Sequence, residues 1–147
     1  MTEKIRLASV SGGKDSTTTL LLAIEQHPAD EVCGAFADTG NEHEATYDYV
    51  RYIEQATGVA IKWLRQDFTD WWWQRRTYVA EKWPGKGVDA ATVARALAVY
   101  DKGPFGNPYL DLCVIKNRFP SRRAQFCTQF LKTEPLTEYA LELIDEH

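Results

Sequence analysis

Cysteine is scarce here and poorly placed for structural chemistry. Only Cys33, Cys113 and Cys127 occur in 147 residues, an odd number, widely separated and without a C-x-x-C pair. Neither a disulfide framework nor a zinc site is favoured, and a reducing cytoplasmic setting fits. His27 and His43 have no partner at metal-ligand spacing, so no resident metal is expected. No run of about 18 apolar residues exists, which excludes an expected membrane helix. The N-terminal Met1-Thr2-Glu3-Lys4 lacks the apolar core of a signal peptide. Positive charge is also short: 17 Lys and Arg face 21 Asp and Glu, for a net charge of −4. A nonspecific nucleic-acid binder is basic, so nucleic acid is not expected as a partner. No Ser/His/Asp order suggests acyl transfer, and no isolated carboxylate pair suggests glycosidase chemistry. Internal repeats, low-complexity segments and linkers are missing.

The size is that of one domain over 1–147, able to bury about 68–70% of its unfolded surface. The most informative stretch is Ser11-Gly12-Gly13-Lys14-Asp15-Ser16-Thr17. It follows a short apolar run ending Ala8-Ser9-Val10 and opens a helical run through Leu20-Leu21-Leu22. Strand, glycine turn and helix start together build an anion site. The helix N-terminus offers unpaired N–H groups and the positive end of its dipole. Gly12 and Gly13 let the backbone come close to an oxyanion, Ser11, Ser16 and Thr17 offer hydroxyls, and Lys14 offers a charge. The ligand expected is a phosphate, pyrophosphate or sulfate. Asp15 is placed either to contact Mg²⁺ beside phosphate oxygens or only to cap the helix. This is not the Walker loop, which would need Gly at position 8 and Ser or Thr at 15, where Ala8 and Asp15 stand. Nor is it a dinucleotide fingerprint, because the third glycine is missing.

The spacing predicts three βα-like units. Strands are expected over 5–10, 31–37 and 59–64, and helices over 15–27 and 44–57, the latter stopped by Gly58. Alternation of this kind implies a parallel sheet with helices on its faces. Ligands then sit at the C-terminal ends of the strands, where the 11–17 loop and Asp38-Thr39-Gly40-Asn41-Glu42 both fall. Further helices are expected over 68–82, 90–100 capped by Asp89, 109–116 behind Asn107-Pro108, and 123–131, with a last one opened by Pro135. Trp71-Trp72-Trp73 point in three directions on a helix, so core packing or a subunit contact is favoured over base stacking. Arg118, Arg122, Arg123 and Lys132 form a basic cluster suited to a second anionic group.

These strings resemble the phosphoadenosine phosphosulfate reductase family. Ser11–Ser16 is similar to its S-G-G-K-D-S PP-loop. Asp38-Thr39-Gly40 followed by Thr46-Tyr47 is similar to D-T-G-x-x-x-x-E-T-Y, with Ala45 in place of the glutamate. Arg118-Phe119-Pro120-Ser121, Phe126-Cys127-Thr128 and Lys132-x-x-Pro135 are similar to a signature of reductase-like proteins, including phage-encoded ones. The resemblance implies an α/β, three-layer, Rossmann-like fold of the adenine nucleotide alpha-hydrolase type. It implies an adenine nucleotide, phosphoadenosine phosphosulfate or ATP, held by Ser9, residues 11–17, Asp38, Thr39, Gly40, Arg122, Arg123 and Lys132. The family's nucleophilic cysteine motif would lie beyond His147, so a short or truncated member is expected, with a thioredoxin-like reductant as partner. Cys127 is the one candidate replacement, and a structural role suits its apolar neighbours better. Only one cysteine stands where cluster-bearing reductases have a pair, so no iron–sulfur cluster is expected. Two other readings stay open: an ATP pyrophosphatase that adenylates an acceptor, and a noncatalytic nucleotide-binding subunit. With the first strand at a sheet edge, self-association, a partner chain across 5–10 or low stability of the isolated domain is expected.

Overall fold

The computed structural model describes residues 4–146. They fall into two compact units. One comprises the chain up to residue 66 together with the segment from 126 onward, and the other comprises 67–125.

The first unit is the sheet. Strands β1 (Arg6–Ser9), β2 (Val32–Ala37) and β3 (Ile61–Leu64) are all parallel in the order β1-β2-β3. Register pairs Leu7 with Cys33 and Ala35 with Lys62. Helix α1 (Lys14–Gln26) joins β1 to β2, and α2 (Glu44–Thr57) joins β2 to β3. Two crossovers of the same hand and direction place both helices on one face. Leu20 of α1, Val50 and Ile53 of α2 and Val32 and Phe36 of β2 accordingly share one buried cluster. Leu20 and Val50 are wholly buried. Gly34 lets β3 close in, since a Cβ there would stand 3.0 Å from Ile61 Cγ1. Helix α2 ends where Gly58 turns left-handed at φ 70°, as its composition predicts. Among the described residues β1 pairs only with β2, so it is an edge. The Arg6 guanidinium bonds the carboxylate of Glu31, just before β2.

The second unit is helical: α3 (Thr69–Lys82), α4 (Ala90–Tyr100) and α5 (Pro108–Lys116). Of the three adjacent tryptophans, Trp72 is wholly buried, while Trp71 and Trp73 are about two-fifths exposed. The Trp72 indole N–H donates to the Tyr100 carbonyl at 2.9 Å, and its ring meets Tyr100 and Phe105 edge-on. The triplet thus contributes one core residue, as 100° per residue requires. Asp89 caps α4 by accepting from Thr92 N–H at 2.9 Å, and Asn107 caps α5 by accepting from Leu110 N–H at 3.1 Å.

Back in the first unit, the C-terminal segment departs from the expectation of two helices. The helix expected over 123–131 begins only at Phe126. It runs on without a break as α6 (Phe126–Thr128), a π-helical turn (Gln129–Thr133) and α7 (Glu134–Glu146). The cause is Pro135, which has no N–H and whose ring would press on the carbonyl one turn back. The wider turn, with Glu134 N–H reaching Gln129 C=O, absorbs the proline instead of ending the helix. Helix α7 packs against β2. None of the described helices is long and apolar enough to cross a membrane.

Candidate anion site at the strand ends

The loop between β1 and α1 is closed by its own hydroxyls. Ser11 donates to Ser16 Oγ from both its backbone N–H (3.0 Å) and its hydroxyl (3.1 Å). Ser16 and Thr17 hydroxyls each donate to the Gly13 carbonyl at 3.0 Å. Sequence reasoning offers these two hydroxyls to the ligand. In the structure they turn back on the preceding turn, as Ser and Thr near a helix start readily do, and they hold the loop's shape. The helix start also carries backbone donors. The first intrahelical bond of α1 is Thr17 N–H to Gly13 C=O at 3.1 Å, so the amides just before it have no carbonyl one turn back. Gly13 is the N-cap residue and brings no side chain. Asp15 lies in the first turn without capping it, and Lys14 beside it is exposed.

Gly12 is the constrained position. It sits at φ +77°, and a Cβ there would stand 2.9 Å from Thr46 Cγ2 on α2. Close approach of two helix-bearing segments and a left-handed backbone both demand glycine at this point.

The loop opens on a cleft of about 110 Å³ lined by Ser9, Ser11, Phe36, Glu42, Lys132 and Leu136. Lys132 reaches it from the π-helical turn, 115 residues or more along the chain from the loop. The cleft therefore brings together Ser9, Ser11 and Lys132, three of the residues singled out from sequence, and adds the carboxylate of Glu42. Its volume suits one phosphate or sulfate group rather than a whole nucleotide.

At the end of β2, Asp38 anchors a second turn. Its side chain is only 11% exposed. Oδ1 accepts from Gly40 N–H and from the Tyr47 hydroxyl, each at 2.8 Å, and Oδ2 accepts from Arg65 at 2.7 Å. Burial by itself would raise this carboxyl, but the Gly40, Tyr47 and Arg65 donors outweigh it and hold the pKa below the usual carboxylate value. Burial, then the hydrogen bond to Asp38, pushes the Tyr47 hydroxyl up. Thr39 donates to Glu42 at 3.0 Å. Gly40 is left-handed at φ 74°. Asp38 and Thr39 thus face inward on their own turn, and the turn presents Glu42 to the cleft.

Glu42 belongs to the cluster that the sequence places at the second strand end, whereas Arg65 escapes the sequence reading. The available signal for Arg65 is its place just past β3, the third strand end of a parallel sheet, where ligands gather. His43 is occupied as the N-cap of α2, its Nδ1 accepting from Ala45 N–H at 3.1 Å. Cys127 lies half-buried on α6 beside buried Phe126. Arg122 and Arg123 are exposed on a tight turn closed by a Ser121–Ala124 bridge. They belong to the helical unit and stand on a turn rather than at a helix start.

Comparison with known proteins agrees with this fold. The model of the phosphoadenosine phosphosulfate reductase domain matches residues 6–100. An uncharacterized 37.8 kDa protein of Escherichia phage 186 is 41% identical over 156 aligned residues, covering 97% of this chain and 45% of that protein. An uncharacterized nin-region protein, ORF290, of Escherichia phage lambda is 29% identical over 144 residues, covering 97% of this chain and 43% of that protein. The chain spans less than half the length of the curated relatives it matches. No solved structure matches it.

Proposed function

Because the chain belongs to the phosphoadenosine phosphosulfate reductase domain family, we propose that it binds an adenine sulfonucleotide by its anionic end. That end would rest on the backbone amides of the 11–17 loop. The observation that carries this reading is Gly12, left-handed and without room for a Cβ at the junction of a parallel strand and a helix N-terminus. A turn that only capped the helix would not need that backbone. Lys132 in the same cleft supplies a positive charge to a sulfate or phosphate oxygen, and Lys14 at the helix start adds a second. The small cleft takes the charged group and leaves the nucleoside outside it, toward the turn built on Asp38. Asp38, Thr39 and Gly40 then act by shaping that turn.

Turnover of a sulfonucleotide would need a thiol nucleophile and a thioredoxin-like electron donor. The role proposed for this chain is binding and orientation of the nucleotide, and no cysteine in it is assigned the nucleophile's part. The chemistry would be that of sulfur reduction by an oxidoreductase.

Isothermal titration of the chain with phosphoadenosine phosphosulfate and, separately, with ATP and Mg²⁺ tests the reading. Lys14→Ala and Lys132→Ala should each weaken sulfonucleotide binding at least about tenfold, or about 1.4 kcal/mol. Equal affinity in both folded variants would overturn it. Tighter binding of ATP, with pyrophosphate released, would replace it with the ATP pyrophosphatase reading.

A further inference from the structure

The net charge of −4 conceals a segregation. Between residues 67 and 125 ten Lys and Arg stand against six Asp and Glu, and the rest of the chain has seven against fifteen. The helical unit is thus basic within an acidic protein, and it holds four of the five tryptophans. Its carboxylates are largely occupied. Asp67 accepts from both the N–H and the hydroxyl of Thr69, and Asp89 caps α4. Asp101 pairs with Arg76 at 2.8 Å, and Asp111 is buried, taking the Phe105 N–H at 2.7 Å. The cations are organised differently. Trp71, Arg75, Tyr78 and Lys82 recur every three or four residues along α3 and so share a face. Lys116 Nζ lies 5.6 Å from the Trp71 ring centroid. The Arg75 guanidinium lies 4.8 Å from the Tyr78 ring, and Lys86 lies 5.2 Å from it while donating to its hydroxyl at 2.6 Å. The Lys86 hydrogen bond, with the charges of Arg75 and Lys82 adding to it, lowers the Tyr78 hydroxyl pKa.

From this ladder of alternating cations and aromatic rings we infer that the α3 face of the helical unit binds single-stranded nucleic acid. Several cations gathered on one face repel one another, and a row of phosphates relieves that repulsion while releasing condensed counterions. Trp71, about two-fifths exposed, adds what charge alone does not, a ring against which an unpaired base stacks when Lys116 moves from it to a phosphate. A duplex keeps its bases stacked internally and gains only the charge contribution. DNA and RNA share this chemistry, and a 2′-hydroxyl reader would be needed to separate them.

The test uses the full chain and fluorescein-labelled oligothymidylate and oligouridylate of about 12 nucleotides, a length within the usual single-strand site range, followed by anisotropy. Binding should weaken steeply between about 50 and 200 mM salt and should exceed that of a duplex of equal length. Lys82→Glu/Lys86→Glu should lose at least about tenfold, and the milder Lys82→Gln/Lys86→Gln should lose less in the same direction. Sulfonucleotide binding in the same samples should be unchanged, which separates this surface from the 11–17 loop. Trp71→Ala should weaken the oligonucleotide more than it weakens a polyaspartate of equal charge. No binding of either oligonucleotide at low salt would overturn the inference. So would a polyaspartate that binds as tightly as the oligonucleotides, since that result points to an acidic protein partner.

Discussion

Replacing Gly12 with alanine tests the geometry of the anion loop through two separable costs. An L-residue held at φ +77° pays about 1–2 kcal/mol for left-handed backbone. The new Cβ also stands 2.9 Å from Thr46 Cγ2, and overpacking of that kind costs about 1–3 kcal/mol. Gly12→Ala should therefore lose about 2–5 kcal/mol of unfolding free energy. Thr46→Ser deletes the offending methyl and keeps the hydroxyl. Combined with Gly12→Ala it should return the overpacking share and leave the backbone share, so the two changes couple by about 1–3 kcal/mol. Urea titrations of the four proteins, read at constant m-value, give the cycle. Nucleotide titration of the double variant should still show impaired binding, because the amides remain displaced by backbone strain. Two changes that add within about 0.5 kcal/mol, or a Gly12→Ala variant as stable as the parent, would refute the claim that this turn is built around a missing Cβ.

The Asp38 carboxyl has a folded-state pKa below its ordinary value, so its contribution to stability is complete above the unfolded pKa of about 3.9 and is lost as pH falls through the lower folded value. Asp38→Asn should lower stability at neutral pH and flatten the acid limb below about pH 4, measured by thermal unfolding across pH; an unchanged acid limb would refute the Arg65–Asp38–Tyr47 account. Trp72→Phe removes one of two donors to the Tyr100 carbonyl, which keeps the Gly103 N–H, and should cost about 0.5–1.5 kcal/mol for the lost hydrogen bond with loss of near-ultraviolet dichroism, while leaving sulfonucleotide affinity unaltered. Amides of β1 should exchange faster than those of β2, since β1 is the sheet edge among the described residues, and light scattering should show concentration-dependent association through it; a monomer at all concentrations with equal protection on both strands would count against that.

Local pattern determined most of the secondary structure. Strand, glycine turn and helix over residues 5–27, the Gly58 stop, the Asp89 cap and the Asn107-Pro108 start are short-range decisions of backbone sterics and capping, and each is found where the residues place it. The form of the 11–17 loop was legible for the same reason, because a glycine turn between a strand and a helix start needs only contiguous residues. Three things required the tertiary structure. Lys132 joins Ser9 and Ser11 only because the helix carrying it packs on the sheet. Pro135 reads locally as a helix start, yet the chain runs through it as one continuous helix whose π-turn absorbs the proline. Arg65 meets Asp38 only because the third strand lies beside the second in parallel register. Net charge is silent for a related reason: a sum over the chain cannot show that one unit carries an excess of cations and the other an excess of carboxylates. Backbone preference acts over a few residues and can be read in order, whereas side chains far apart in sequence meet only after the chain has buried its apolar faces.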